Sequence, residues 1–169
     1  YEQLIVYSEE DEEIIGGYRF IDCGKLDLSD KDNIELSTAH YFKFSQTFVD
    51  EYLPYTVELG RSWIQPNYQP HINPRKGIFA LDNLWDGLGA IFVTHPNLRY
   101  FFGKVTMYPD FDRLARDMIL FFMHKYFPDE NKLITPIRPL ELTTSDKMLN
   151  NIFTGDNYQE DYKILVNKV

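Results

Sequence analysis

The stretch from residue 55 to residue 108 reads as strand, then helix, then strand, and this succession narrows the fold more than any other feature of the chain. Residues 55–65 are rich in strand formers (Tyr55, Thr56, Val57, Leu59, Trp63, Ile64) and are stopped by Pro66-Asn67. Beyond a loop holding Pro70 and Pro74, apolar residues recur at Ile78, Leu81, Leu84, Trp85, Leu88, Ile91 and Phe92. That spacing marks one face of a helix over 76–93 and places Trp85 in the core. Residues 99–108, with Tyr100-Phe101-Phe102-Gly103-Lys104-Val105-Thr106, form a second strand.

The flanks extend the pattern. Residues 4–8 and 14–21 are β-rich on either side of an acidic run at 9–13, which predicts an antiparallel hairpin with a solvated tip. Residues 22–33 read as loop. Residues 34–52 have mixed periodicity, helical in the second half, with Phe42, Phe44, Phe48 and Tyr52 as buried candidates. Pro109-Asp110 opens a helix running to about residue 127, with Phe111, Leu114, Ala115, Met118, Phe122 and Met123 on its buried face. Thr144-Ser145-Asp146 caps a short helix ending near Phe153, Gly155-Asp156-Asn157 breaks the chain, and residues 158–169 form a last helix. The order predicts an α/β protein with a mixed sheet and helices on both faces.

Composition removes several function classes. A net charge of −9 and a pI near 4.8 argue against nucleic acid as a partner and against global attraction to an anionic membrane. The longest apolar run, Met118-Ile119-Leu120-Phe121-Phe122-Met123, falls far short of the roughly 20 residues of a membrane span. No signal peptide is visible, and one cysteine, Cys23, cannot form an internal disulfide; both suit a cytoplasmic location. Cys23 has no immediate basic neighbour other than Lys25 and reads as inert. His40, His71, His95 and His124 lack metal-ligand spacing, so no metal site is expected.

The informative block is Val57-Glu58-Leu59-Gly60-Arg61-Ser62-Trp63-Ile64-Gln65-Pro66, followed by Arg75-Lys76-Gly77 at the start of a helix. A helix start carries backbone N–H groups without internal partners and the positive end of the helix dipole. Arg75 and Lys76 add side-chain charge, so the segment reads either as a phosphate site or as a solvated basic turn.

These residues resemble the central strand and donor loop of the GNAT acyltransferases. Gly17-Tyr18-Arg19-Phe20, Glu58-Leu59-Gly60-Arg61-Ser62, Lys76-Gly77 with Leu81-Asp82-Asn83-Leu84-Trp85, and Tyr100-Phe101-Phe102-Gly103-Lys104-Val105 look like the haemolysin-named, ornithine-lipid N-acyltransferase branch. That branch is in turn similar to the acyl-homoserine-lactone synthases. The resemblance covers residues 4–139 and implies a GNAT fold: a mostly antiparallel mixed sheet whose two central strands, 55–65 and 99–107, splay to admit a pantetheine arm. It makes residues 1–139 the acyltransferase domain and 140–169 a helical extension of that domain. The branch runs on further than these residues do.

The resemblance implies transfer of a (3-hydroxy)acyl group from acyl carrier protein to the amine of a small amino acid, of ornithine or glycine type, in amino-acid lipid synthesis. The acceptor amine attacks the thioester directly; a base removes the ammonium proton and an N–H stabilises the oxyanion. GNAT enzymes using acyl-CoA carry Arg/Gln-x-x-Gly-x-Gly/Ala in the donor loop. Pro74-Arg75-Lys76-Gly77-Ile78-Phe79-Ala80 departs from it, which favours acyl-phosphopantetheine on a carrier protein over acyl-CoA. No bound cofactor is expected. A lipid product also suits peripheral contact with the inner face of the membrane. Oligomeric state is left open.

Residue roles follow. Glu58 is the candidate general base; the other reading is an ion pair with Arg61, reached through a β-bulge, or positioning of the acceptor. Arg61 either holds the acceptor carboxylate in a bidentate contact or is structural. Arg19 either lines the acceptor side or pairs with Glu58. Arg75, Lys76 and Gly77 are the donor-phosphate contacts, with Lys104 facing either the carrier protein or solvent. Tyr108 is the candidate general acid for the leaving thiol. The competing functions are a homoserine-lactone-type synthase using S-adenosylmethionine and a literal, non-enzymatic haemolysin.

Overall fold

The computed structural model describes residues 1–30, 34–108, 110–154 and 157–169. The chain forms two compact units: Tyr1–His40 with Gln46–Lys104, and Tyr41–Ser45 with Val105–Val169. Contacts thus divide the chain after Lys104, with a short excursion at Tyr41–Ser45.

The first unit is a four-stranded sheet in the order β1-β2-β4-β5. β1 (Glu2–Ser8) and β2 (Glu13–Asp22) form the expected hairpin, and β4 (Thr56–Ile64) pairs antiparallel with β2. β5 is Tyr100–Gly103, shorter than expected, and lies parallel to β4. Helix α1 (Pro74–Thr94) crosses from β4 to β5. Asn73 caps it by accepting the Lys76 N–H at 3.2 Å.

Both faces of the sheet carry helix. On one, Phe20, Val57, Ile91 and Leu98 form the core with Leu4, Leu59, Leu88 and Phe101, each fully buried aliphatic side chain contributing about 1.5–3 kcal/mol. On the other, a π-helical turn at Phe48–Tyr52 sets Phe48 edge-on to Phe102 and Tyr52 against Tyr100. This turn is the helical second half expected of residues 34–52.

The buried face of α1 differs from the expected stripe. Gly77, Ala80, Leu84 and Ile91 point into the protein, whereas Trp85 is 71% exposed and Ile78, Leu81 and Phe92 are also exposed. The cause is close approach. A Cβ on Gly87 would lie 2.8 Å from Leu4 Cδ2, and one on Gly77 would lie 2.5 Å from Pro70 N. Small residues therefore stand at the closest approaches, Leu84, Leu88 and Ile91 of the expected stripe still pack inward, and Ile78, Leu81 and Trp85 turn outward.

In the second unit, β3 (Phe42–Phe44) pairs antiparallel with β6 (Ile134–Pro136), a pairing of distant segments that no local pattern announces. Helix α2 (Arg113–Tyr126) starts later than expected, capped by Asp112, whose carboxylate accepts the Ala115 N–H at 2.8 Å. The expected start at Pro109 lies outside the described residues. Met118 and Phe122 are buried as expected, but Phe111, Leu114 and Met123 are exposed. Met118 and Phe122 pack with Leu149 and Phe153 at the end of α3 (Asp146–Ile152), which is capped by Ser145 as its sequence indicates. The buried Asp117 accepts the Thr143 and Thr144 N–H groups at 2.8 and 2.7 Å and pairs with Arg116. Helix α4 (Tyr158–Lys168) completes the unit. Of the expected break at 155–157, residues 155 and 156 lie outside the described residues.

Candidate active site

β4 organises the site because its two halves have different neighbours. From Thr56 to Leu59 it pairs with β5, and the register ends at Leu59 opposite Gly103. Among the described residues, Gly60–Ile64 pairs with no strand but β2. Its β5 side thus has no partner strand along this second half, the splay expected of the central strands, although Ile64 O accepts the Gln69 side-chain amide at 3.3 Å.

The expected bulge is also present. The β2–β4 register shifts between Gly17 and Arg19, and Arg61 takes a left-handed φ of 57°. The extra residue turns Arg61 toward a cleft of about 290 Å³ lined by Gln3, Ile5, Tyr18, Arg19, Arg61 and Trp63. Arg19 and Arg61 thus meet at one cleft. Arg19 Nε is buried without a hydrogen-bond partner among the described residues, whereas the Tyr18 hydroxyl, on the opposite face of β2, is directed at the Leu88 backbone of α1. Two guanidinium groups and an unused buried donor suit an anionic ligand such as a carboxylate.

The bulge does not bring Arg61 to Glu58. Among the described residues no ion pair joins Glu58 to Arg61 or to Arg19. Glu58 is instead 1% exposed and filled with neutral donors. Oε1 accepts the Thr38 N–H at 2.9 Å and the Thr38 hydroxyl at 2.6 Å; Oε2 accepts the Tyr1 hydroxyl at 2.8 Å and the Ser37 hydroxyl at 3.3 Å. The Arg19 guanidinium lies 4.2 Å from the centroid of the Tyr1 ring, so Tyr1 stands where a direct Arg19–Glu58 pair would be. Burial, followed by the bond to Glu58, raises the Tyr1 phenol above its ordinary range.

A second cavity, about 320 Å³, lies between the open half of β4 and α1. Ser62, Trp63, Ile64, His71, Leu81 and Leu84 line it. Trp63 borders both cavities.

The residues expected at the donor phosphate are placed variously. Lys76 Nζ lies 2.7 Å from both carboxylate oxygens of Asp11 in the hairpin turn. Pro74 has no N–H, the Lys76 N–H is taken by Asn73, and Gly77 N donates to Asn73 O at 2.8 Å. Among the described residues this leaves the Arg75 N–H of the first turn without a partner, and the Arg75 side chain is exposed. Gly77 is a packing residue against Pro70. Lys104 is exposed just past β5. Tyr108 belongs to the second unit and is 73% exposed. Sequence reasoning missed Tyr1, Ser37 and Thr38 around Glu58. They come from segments remote in sequence, and no spacing signals them.

Comparison with known proteins agrees with this geometry. Residues 1–74, from β1 to the start of α1, match the acetyltransferase (GNAT) domain family. The chain is 54% identical, over all of its 169 residues, to a glycine N(alpha)-acyltransferase of Phocaeicola vulgatus, covering 52% of that protein. It is 53% identical over 165 residues to a glycine N(alpha)-acyltransferase of Bacteroides thetaiotaomicron, covering 98% of this chain and 49% of that protein. The chain spans about half the length of these curated relatives. No solved structure matches it. The mixed sheet with its parallel β4–β5 pair, the bulged β4, the match over residues 1–74 and the two relatives make the chain similar to the GNAT acyltransferases.

Proposed function

We propose that the protein is an N-acyltransferase that moves an acyl group from a phosphopantetheine thioester to the α-amine of glycine. The observation that carries this reading is the two-arginine cleft beside the open half of β4. The pantetheine amides bond to the unpaired β4 backbone, and the thioester carbonyl is brought to the cleft mouth near Trp63. Arg19 and Arg61 hold the acceptor carboxylate, which leaves the α-amine directed at the thioester. Attack gives a tetrahedral oxyanion that an open β4 N–H stabilises, and the thiol leaves. The glycine N(alpha)-acyltransferase name of both relatives supports glycine over ornithine as the acceptor.

The donor in this reading is acyl carrier protein. The first turn of α1 offers one open N–H and Arg75, enough for the single phosphate of a carrier-bound pantetheine but sparse for the diphosphate and 3′-phosphate of acyl-CoA. Arg75 and Lys104 meet the acidic carrier surface, and the product is an amino-acid lipid precursor. Among the described residues no helix is long and apolar enough to cross a membrane. A lipid product suits peripheral membrane contact in this reading.

The test incubates the full-length protein with 3-hydroxyacyl carrier protein or the matching acyl-CoA. Acceptors are glycine, ornithine, serine and S-adenosylmethionine, with products read by mass spectrometry. N-acylglycine from the carrier-protein donor is expected. Product from S-adenosylmethionine alone would replace this reading with a homoserine-lactone-type synthase, and no acyl product from any pair would remove it.

A further inference from the structure

We infer that the Tyr1 hydroxyl carries the acceptor's proton to Glu58, so that the base of this site works through a relay and never touches the amine. The inference rests on the N-acyltransferase reading above. Glu58 is too deeply buried for an ammonium group to reach. Of the side chains that donate to it, Thr38 is buried and Ser37 half-buried, whereas Tyr1 lies under Arg19, a residue of the acceptor cleft.

The hydroxyl is fixed for this task. It donates to Glu58 Oε2 at 2.8 Å and accepts the Ser37 N–H at 2.9 Å, which leaves its second lone pair for an incoming N–H. Arg19 joins the relay to the acceptor cleft, since it lines that cleft and its guanidinium covers the Tyr1 ring. The cation over the ring favours transient negative charge on the phenol oxygen.

The step balances within these groups. An ammonium N–H bond breaks and its proton bonds to Tyr1 Oη. The Tyr1 O–H bond breaks and that proton bonds to Glu58 Oε2. The electron pair left on nitrogen attacks the thioester carbonyl. Glu58, now a carboxylic acid, donates back to Tyr1, so the bond between them reverses without being lost. Thr38 keeps its acceptor Oε1 throughout, and the Ser37 hydroxyl can rotate. After product leaves, the proton returns to solvent by the same path. The charged and titratable groups beside the pair are Arg19 on β2 and the Cys23 thiol after β2. Burial pushes that thiol to about 12, so it stays protonated and does not compete for the proton.

The test is Tyr1→Phe in the full-length protein, which keeps the ring under Arg19 and removes only the hydroxyl. kcat and the glycine KM are measured from neutral pH to above the pKa of the glycine amine. The expected result is a kcat roughly 10²-fold lower at neutral pH. This loss shrinks as glycine supplies its own free amine, and KM stays unchanged. Glu58→Gln gives the same profile, and the double variant is no slower than either single one. A Tyr1→Phe loss equal at every pH, or no loss, overturns the relay while leaving N-acylation standing. A wild-type protein that forms no N-acylglycine overturns both.

Discussion

Lys76 and Asp11 form a close ion pair, with the ammonium 2.7 Å from both carboxylate oxygens, and this contact fastens the β1–β2 turn to the first turn of α1. Bonds from Lys76, then Tyr68 and Ser8, hold the Asp11 carboxyl at about 2, below its ordinary value. A carboxyl whose pKa falls on folding contributes stability above its unfolded pKa, about 3.9, and loses it as pH drops through the folded value. Wild type should therefore melt above Asp11→Asn at neutral pH. The gap should close between about pH 4 and pH 2, as thermal melts across that range would register. A gap that persists at the acid end would show that the Asn acts by other means.

Gly77→Ala should destabilise the protein although alanine is the better helix former. Propensity favours the substitution by about 1 kcal/mol. The new Cβ, however, would sit 2.5 and 2.7 Å from Pro70 N and Cα, backbone atoms that cannot swing aside. Overpacking of this kind costs about 1–3 kcal/mol, so a lower urea midpoint is expected. A raised midpoint would mean that the loop yields.

Asp117→Asn should loosen the segment leading into α3. Burial pushes the Asp117 carboxyl up. Bonds from Arg116, Thr144 and Thr143 outweigh this and hold it well below the usual carboxylate range. The amide keeps one acceptor oxygen, so its NH2 must face either the two backbone N–H groups or the Arg116 guanidinium, at a cost of about 2–4 kcal/mol. Hydrogen exchange reads the effect directly: the Thr143 and Thr144 amides, protected in wild type, should exchange early in the variant.

Cys23 is fully buried, and its thiol is pushed to about 12, chiefly by burial. Native protein at mildly alkaline pH should resist alkylation by iodoacetamide, and unfolded protein should react to one equivalent. Modification of the native protein at the unfolded rate would place the thiol at the surface.

The sequence was most legible where a local rule governs. The hairpin follows from period-2 apolar runs around an acidic turn, α1 from its 3.6-residue period, and α3 from the Ser145 cap. It was least legible where contacts join remote segments. Leu84, Leu88 and Ile91 of the expected α1 stripe pack inward, but Ile78, Leu81 and Trp85 do not, because the closest approaches to Leu4 and Pro70 are taken by glycines. The β3–β6 pair has no local signature for the same reason. At the site, Glu58 and Arg61 were visible on β4 and the bulge between them was anticipated. The alternative of an ion pair between them does not form, because Ser37, Thr38 and Tyr1 fill the Glu58 carboxylate.

The central claim, that Arg61 reads the carboxylate of the acceptor at the bulge of β4, is tested most directly by comparing glycine with glycinamide as acceptors for wild type and Arg61→Gly. Glycine accepts the left-handed φ of 57° at this position without strain, so the variant should fold normally. A lost charge-assisted contact is worth about 1.5–3 kcal/mol, or roughly 10- to 150-fold in binding. Wild type should strongly prefer glycine. The variant should show a glycine KM raised by that factor, with kcat nearly unchanged and little preference left between the two acceptors. If Arg61→Gly keeps the wild-type preference for glycine, the carboxylate is held elsewhere and the account of the cleft is wrong.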